Sequence, residues 1–124
     1  MYKFQRTISK DVKFEGIGLH TGKYSSLILK EAKENTGIVF IRTDTKEKIH
    51  LKANLSYVVE TNRGTTIGDG NYKIYTVEHL LAAIYALGID NLIIEIDNIE
   101  PPILDGSSNE YYNKIVHNQF SGDL

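Results

Sequence analysis

The hydrophobic pattern of this chain changes its period at Thr76, and that change limits the folds the chain can adopt. Before Thr76, short apolar and β-branched runs alternate with turn residues, which is typical of β-strands. After it, apolar residues recur at the spacing of an amphipathic helix, at Val77, Leu80, Leu81, Ile84 and Leu87. With Thr76 as N-cap and Gly88 just past the end, the pattern predicts a helix over about residues 77–87.

The predicted elements on either side of this helix indicate the fold class. Strands are predicted at residues 2–9, 12–18, 25–30, 38–41, 57–59, 65–67 and 72–75. The glycine-rich residues 68–71 join the last two strands, which is a strong hairpin signal. Residues 91–97 predict one more buried strand. Strands followed by helix, strand and helix predict an α+β two-layer sandwich, a mostly antiparallel sheet with two helices on one face.

The second predicted helix begins after residues 105–106 with a capping box, in which Ser107 is followed three residues later by Glu110. Its apolar residues are expected to point inward, and these are Tyr111, Tyr112, Ile115 and Val116. The residues from Gln119 onward are predicted to fray.

Size and composition indicate one soluble globular domain. The chain has 124 residues, of which 41% are hydrophobic and 24% are charged. Its 14 basic and 16 acidic residues are interspersed, whereas nucleic-acid binding needs clustered positive charge. The chain has no cysteine, which excludes disulfides and thiolate metal sites. It also shows neither a signal-peptide pattern nor a transmembrane segment, so a cytoplasmic location is expected.

The pair Glu78-His79 stands at the start of the first predicted helix. A metal there could bind the neutral imidazole, and the neighbouring carboxylate could take a proton from metal-bound water. The helix N-terminus would favour the anionic carboxylate that a base needs. From spacing alone, however, a carboxylate placed for the helix dipole beside a surface histidine is the stronger explanation. The pair is not the zinc-protease signature, because Ala82 and Ala83 stand where a second histidine is required.

Two further polar segments allow a functional and a structural interpretation. Residues 16–22 carry three glycines around His20, which indicates either backbone passing close to a ligand or a glycine-rich edge strand and turn. Residues 61–66 form a polar stretch between strands, for which a plain loop is the better interpretation. No histidine has another three to five residues away, so the chain contains no local metal motif.

Taken in order, these segments closely resemble the UDP-3-O-acyl-N-acetylglucosamine deacetylase family, zinc-dependent enzymes of lipid A biosynthesis in Gram-negative bacteria. The resemblance extends over nearly the whole chain, from about residue 3 to 118, and six motifs in the right order make it specific. The motifs are residues 16–22 (GIGLHTG), 35–40 (NTGIVF), 61–66 (TNRGTT), 76–83 (TVEHLLAA), 88–91 (GIDN) and 102–107 (PILDGS).

The resemblance implies a role for each matching residue in releasing acetate from a UDP-sugar lipid substrate. The Glu of the TVEH motif is the family's general base, acting on zinc-bound water, and the next His is a zinc ligand; here these are Glu78 and His79. The Leu-His of GLHTG lies near the active site, which implies substrate-binding roles for Leu19 and His20. The loop bordering the site contributes Thr61, Asn62 and Gly64, although Asn62 is polar where many members are apolar.

The resemblance also implies that this chain needs a partner. The family enzyme resembles two α+β domains, each like domain 2 of ribosomal protein S5, packed face to face around the active site. Residues 1–124 then correspond to the N-terminal domain alone. The remaining zinc ligands, the general acid and the acyl-chain passage belong to the C-terminal domain. The isolated chain is therefore expected to be inactive, and the exposed inter-domain face around Leu19 and His79 is expected to promote dimerisation.

Two other functional classes compete with this interpretation. The chain could be a non-catalytic binding or regulatory module that keeps the fold and has lost the chemistry. Fold analogy with ribosomal protein S5 alone would suggest RNA binding, but the charge balance disfavours it.

Overall fold

The computed structural model describes residues 4–53, 58–60, 66–68, 72–117 and 120–123. In chain order its elements are β1 (Arg6–Ile8), β2 (Val12–Ile17), β3 (Tyr24–Glu31), β4 (Ile38–Arg42), β5 (His50–Lys52), β6 (Val58–Glu60), β7 (Thr66–Gly68), β8 (Lys73–Ile74), α1 (Glu78–Ala86), β9 (Leu92–Ile96), α2 (Asn109–His117) and β10 (Phe120–Asp123). Neither of these nine-residue helices is long enough to cross a membrane.

The main sheet has five strands in the order β2-β3-β9-β4-β5. The β4–β9 pair is parallel and the other pairs are antiparallel, which confirms the mostly antiparallel sheet. A smaller sheet has the order β6-β7-β8. In it, Ile67 pairs with Ile74 in antiparallel register, so the predicted hairpin pairing is confirmed, while its turn residues 69–71 lie outside the described part of the chain.

The chain end differs from the prediction. Residues 120–123 form β10, which pairs antiparallel with β1. The expected fraying is therefore wrong for residues 120–123, while Gln119 and Leu124 lie outside the described residues. This pairing joins two strands more than 100 residues apart in the chain, and local sequence pattern carries no information about such a partner.

Side chains alternate between the two faces of the main sheet, and one face is buried. In β2, Val12 and Phe14 are buried while Lys13 and Glu15 are exposed. Both helices pack on the buried face: the Phe14 ring lies 4.7 Å from that of Tyr111 in α2, and α1 contributes to the same core. The two-layer α+β sandwich is thereby confirmed. The prediction for α2 is wrong at Tyr112 and Val116, which are exposed.

Helix α1 begins and ends close to the predicted bounds, but only its end follows the predicted chemistry. Gly88 adopts a φ of +70°, its N–H bonds to the Tyr85 carbonyl, and the Ile89 N–H bonds to the Ile84 carbonyl, which is a Schellman motif. At the other end the N-cap residue is Val77, with no side-chain cap. The predicted cap at Thr76 is therefore wrong.

Candidate functional site

Glu78 and His79 are the first two residues of α1. Their neighbours Val77 and Leu80 are buried in the core, which holds the pair at the rim of the domain. About a third of each side chain is exposed, and Oε2 of Glu78 lies 3.9 Å from Nε2 of His79. The positive end of the helix dipole stabilises a carboxylate at this position. A water molecule or ligand at the rim can therefore reach both a carboxylate oxygen and an imidazole nitrogen.

The glycine-rich segment before His20 passes close to a carboxylate of the chain itself. Gly18 donates its N–H to the Lys23 carbonyl at 2.9 Å and accepts from Gly22 at 3.0 Å, so residues 18–23 form a tight turn. A Cβ at Gly18 would lie 2.5 Å from Oε1 of Glu100, which is closer than Cβ atoms come to other heavy atoms in proteins. Gly18 is needed because backbone and carboxylate are packed together, which explains this glycine without a bound ligand.

Glu100 is completely buried and accepts four hydrogen bonds. Its Oε1 accepts the backbone N–H groups of His20 at 2.9 Å and Thr21 at 3.0 Å. Its Oε2 accepts the Thr76 hydroxyl at 2.6 Å and lies 3.0 Å from Nδ1 of His20. Burial raises the pKa of Glu100, but the bonds from Thr76, Thr21 and His20 outweigh it and leave the pKa below its usual value. The buried group is therefore a carboxylate anion at neutral pH.

Thr76 connects this carboxylate to the start of α1. Its φ is +56°, a strained backbone conformation for a β-branched residue. Its hydroxyl donates to Glu100, and its Oγ1 lies 3.1 Å from Nδ1 of His20. This is why Thr76 does not cap the helix, and the contact places His20 beside the residues that immediately precede Glu78.

Of the other predicted substrate-binding residues, the structure describes only Leu19. Leu19 is 55% exposed and adjoins His20 at the tip of the β2–β3 connection. Ile17 and Tyr24, on either side of this tip, are also exposed. Thr61, Asn62 and Gly64 lie outside the described residues.

Sequence reasoning missed Glu100, which precedes two prolines in the segment of residues 100–102. All three residues of this segment are buried. The hydroxyl of Tyr111 donates to the Pro102 carbonyl at 2.5 Å, so α2 holds the segment against the core. A charged residue next to two prolines after a buried strand was the only local signal for this role.

The side chains at this site supply too few donors for a metal ion by themselves. Among the described residues, no three His, Asp or Glu side chains are grouped as a metal site would require. A catalytic zinc takes about three protein ligands, and the rim pair offers one imidazole with a carboxylate beside it. The described residues thus do not fit a complete zinc site, and any such site would need further donors.

Comparison with known proteins gives consistent matches over almost the whole chain. Residues 5–122 match the sequence profile of the UDP-3-O-acyl N-acetylglycosamine deacetylase family. The chain is 49% identical over 107 residues to the bifunctional enzyme LpxC/FabZ of Chlorobaculum tepidum, covering 86% of this chain and 23% of that protein. It is 49% identical over 105 residues to the UDP-3-O-acyl-N-acetylglucosamine deacetylase of Geobacter sp. (strain M21), covering 85% and 34%.

A third relative extends the match slightly further. The UDP-3-O-acyl-N-acetylglucosamine deacetylase of Leptospira biflexa is 45% identical over 112 residues, covering 90% of this chain and 37% of that enzyme. The chain thus spans about a quarter to two fifths of the length of the curated relatives it matches.

Proposed function

The chain belongs to the UDP-3-O-acyl N-acetylglycosamine deacetylase family, and we propose that it supplies part of the active site of such a deacetylase. The proposed reaction is hydrolysis of the acetamide of UDP-3-O-acyl-N-acetylglucosamine, in lipid A biosynthesis in the cytoplasm of a Gram-negative bacterium. A C-terminal deacetylase domain would complete the site. The single observation that carries this proposal is the Glu78–His79 pair, partly exposed at the start of α1 beside the His20 turn.

In the proposed mechanism each residue of the rim pair has its own role. Glu78, in the first turn of α1, takes a proton from the water that attacks the acetamide carbonyl. His79 would supply one nitrogen ligand to zinc. Zinc, when bound in the completed site, would act as a Lewis acid. The C–N bond breaks, acetate leaves, and the amine takes its proton from a general acid outside this chain.

The substrate would lie across the tip of the β2–β3 connection. Leu19 presents an exposed apolar side chain there, and the His20 ring is about one third exposed. A UDP-sugar that carries an acyl chain needs both apolar and hydrogen-bonding contacts. Thr61, Asn62 and Gly64 are proposed to border the same site.

A chimera tests whether this chain contributes a working half-site. The matching N-terminal third of the Geobacter deacetylase would be replaced by this chain, and acetate release from UDP-3-O-acyl-N-acetylglucosamine would be measured. We expect the chimera to turn over and to hold zinc stoichiometrically. We expect the 124-residue chain alone to show neither, because its described residues lack a three-donor group.

The outcomes separate the deacetylase from a non-catalytic binding module. Stoichiometric zinc and turnover in the chain alone would exclude the half-site proposal. A chimera that folds and binds zinc but releases no acetate would favour the binding module. The Geobacter enzyme itself is the reference for folding, measured by its thermal unfolding.

The free chain is also expected to dimerise through the surface around Leu19 and His79. Ile17, Leu19 and Tyr24 are each about half exposed there, and an open apolar patch favours association. Sedimentation at rising concentration should show a dimer that Leu19→Asp weakens. Asn109→Asp, an equal charge change at an exposed position on α2, should leave it intact. A chain that stays monomeric at high concentration would refute this expectation.

A further inference from the structure

We propose that Glu100 is a positioning residue that fixes the tautomer of His20, so that Nδ1 carries the proton and Nε2 presents a lone pair to the substrate. The proposal rests on the proposed function for the role of the substrate, but its structural part concerns only this chain. The four groups involved are the Glu100 carboxylate, the His20 ring, the Thr76 hydroxyl and the turn backbone.

The placement of protons follows from counting donors and acceptors. Oε1 of Glu100 is already occupied by two backbone N–H groups, from His20 and Thr21. Oε2 accepts the one proton of the Thr76 hydroxyl, at 2.6 Å. The Thr76 oxygen and Oε2 of Glu100, which lie 3.1 Å and 3.0 Å from Nδ1 of His20, can then only accept. Nδ1 must be the donor.

The opposite tautomer would be strongly unfavourable. An Nδ1 lone pair would face an oxygen of the fully buried Glu100 carboxylate at 3.0 Å, with no proton between them. A buried acceptor without a donor costs free energy, because it has lost the hydrogen bond that it made to water in the unfolded chain. The remaining alternative is a protonated Glu100 that donates to Nδ1. The lowered pKa of Glu100 excludes it, because the group is then an anion without a proton to donate.

Fixing Nδ1 determines what His20 can do for a ligand. The Nδ1 edge faces the buried carboxylate, while about a third of the side chain remains exposed. The exposed edge therefore holds Nε2, which in the neutral ring is an acceptor. It fits a hydrogen-bond donor such as a sugar hydroxyl or an amide N–H. An imidazole without the Glu100 contact would populate both tautomers, and selecting one of them would cost binding free energy. Glu100 removes this cost by fixing the tautomer before the substrate binds.

The decisive variant is Glu100→Gln. Its amide oxygen must take the Oε1 position, because two backbone N–H groups point there. The amide NH₂ then occupies the Oε2 position and donates to Nδ1 of His20. The proton of the ring is therefore expected to move to Nε2, which inverts the tautomer without removing a side chain.

The tautomer would be read from long-range ¹H–¹⁵N spectra of the imidazole rings in the 124-residue chain, at a pH where His20 is neutral. We expect Nδ1–H in the wild type, Nε2–H in Glu100→Gln, and Nδ1–H in Thr76→Val, which keeps the Glu100 contact. Glu95→Gln, on the far side of the sheet, is the matched control and should not change the spectrum. Nε2–H in the wild type would overturn the proposal even if every variant failed to fold.

Kinetics of the chimera provide the second readout. Glu100→Gln is expected to raise KM about tenfold, the effect of one mismatched hydrogen bond, while kcat changes much less. A folded variant with an inverted tautomer and an unchanged KM would overturn the substrate contact. An inactive wild-type chimera would refute the proposed function instead, and the spectra of the free chain would still decide the tautomer.

Discussion

Replacing Glu78 by glutamine in the chimera is expected to lower kcat by about 10²–10⁴-fold, the usual contribution of a general base. The amide keeps the size of the side chain and cannot accept the proton of the attacking water. KM should change little, because a base that acts on water contributes mainly to the transition state. The measurement is steady-state acetate release, with zinc content determined for each variant.

Glu110→Gln is a matched control for this prediction. Glu110 is also a carboxylate in the first turn of a helix, α2, and it is exposed. Both substitutions therefore remove the same helix-dipole interaction, worth under about 1 kcal/mol. Equal losses of activity in the two variants would indicate a general electrostatic effect, and full activity in Glu78→Gln would refute the assigned role.

Local chemistry allowed most of the fold to be predicted. Helix α1 was predictable because its apolar spacing and the terminal Gly88 are properties of neighbouring residues. The antiparallel pairing of β7 with β8 was predictable for the same reason. The failures involve partners far along the chain: β10 pairs with β1, and Thr76 donates to Glu100 instead of capping the helix. A propensity states what a residue favours by itself, and a buried carboxylate elsewhere can outcompete it.

In the candidate site, too, features of neighbouring residues could be predicted and contacts between distant residues could not. The pair Glu78-His79 is adjacent in sequence, and its place at a helix start follows from the pattern alone. The roles of base and zinc ligand were assigned to the pair from the family resemblance. The connection of His20 to Glu100 spans 80 residues and could not be inferred from either segment. The glycines of residues 16–22 signalled a close approach, but not which group came close.

Gly18→Ala is expected to lower the free energy of unfolding of the free chain by roughly 2–5 kcal/mol, combining overpacking with damage to a buried hydrogen-bond cluster. The added Cβ would lie 2.5 Å from Oε1 of Glu100 and 2.6 Å from Oγ1 of Thr21. The carboxylate cannot withdraw without breaking bonds to His20 and Thr76. Urea unfolding of both proteins would measure the difference.

Gly22→Ala separates this clash from ordinary glycine effects. Gly22 has a φ of +67° with open space where a Cβ would stand, so its replacement should cost only about 1–2 kcal/mol of backbone strain. If Gly18→Ala cost no more than Gly22→Ala, close packing against Glu100 would not explain the glycine.

A double-mutant cycle tests whether Glu100 is the group that requires the glycine. In a Glu100→Ala background the carboxylate oxygen is gone, so adding a Cβ at Gly18 should cost much less than in the wild type. The coupling free energy between the two positions is expected at about 1–3 kcal/mol, as for residues in direct contact. Additive losses would mean that the turn requires Gly18 for its own backbone, and the carboxylate would then be a neighbour of the turn without being the reason for it.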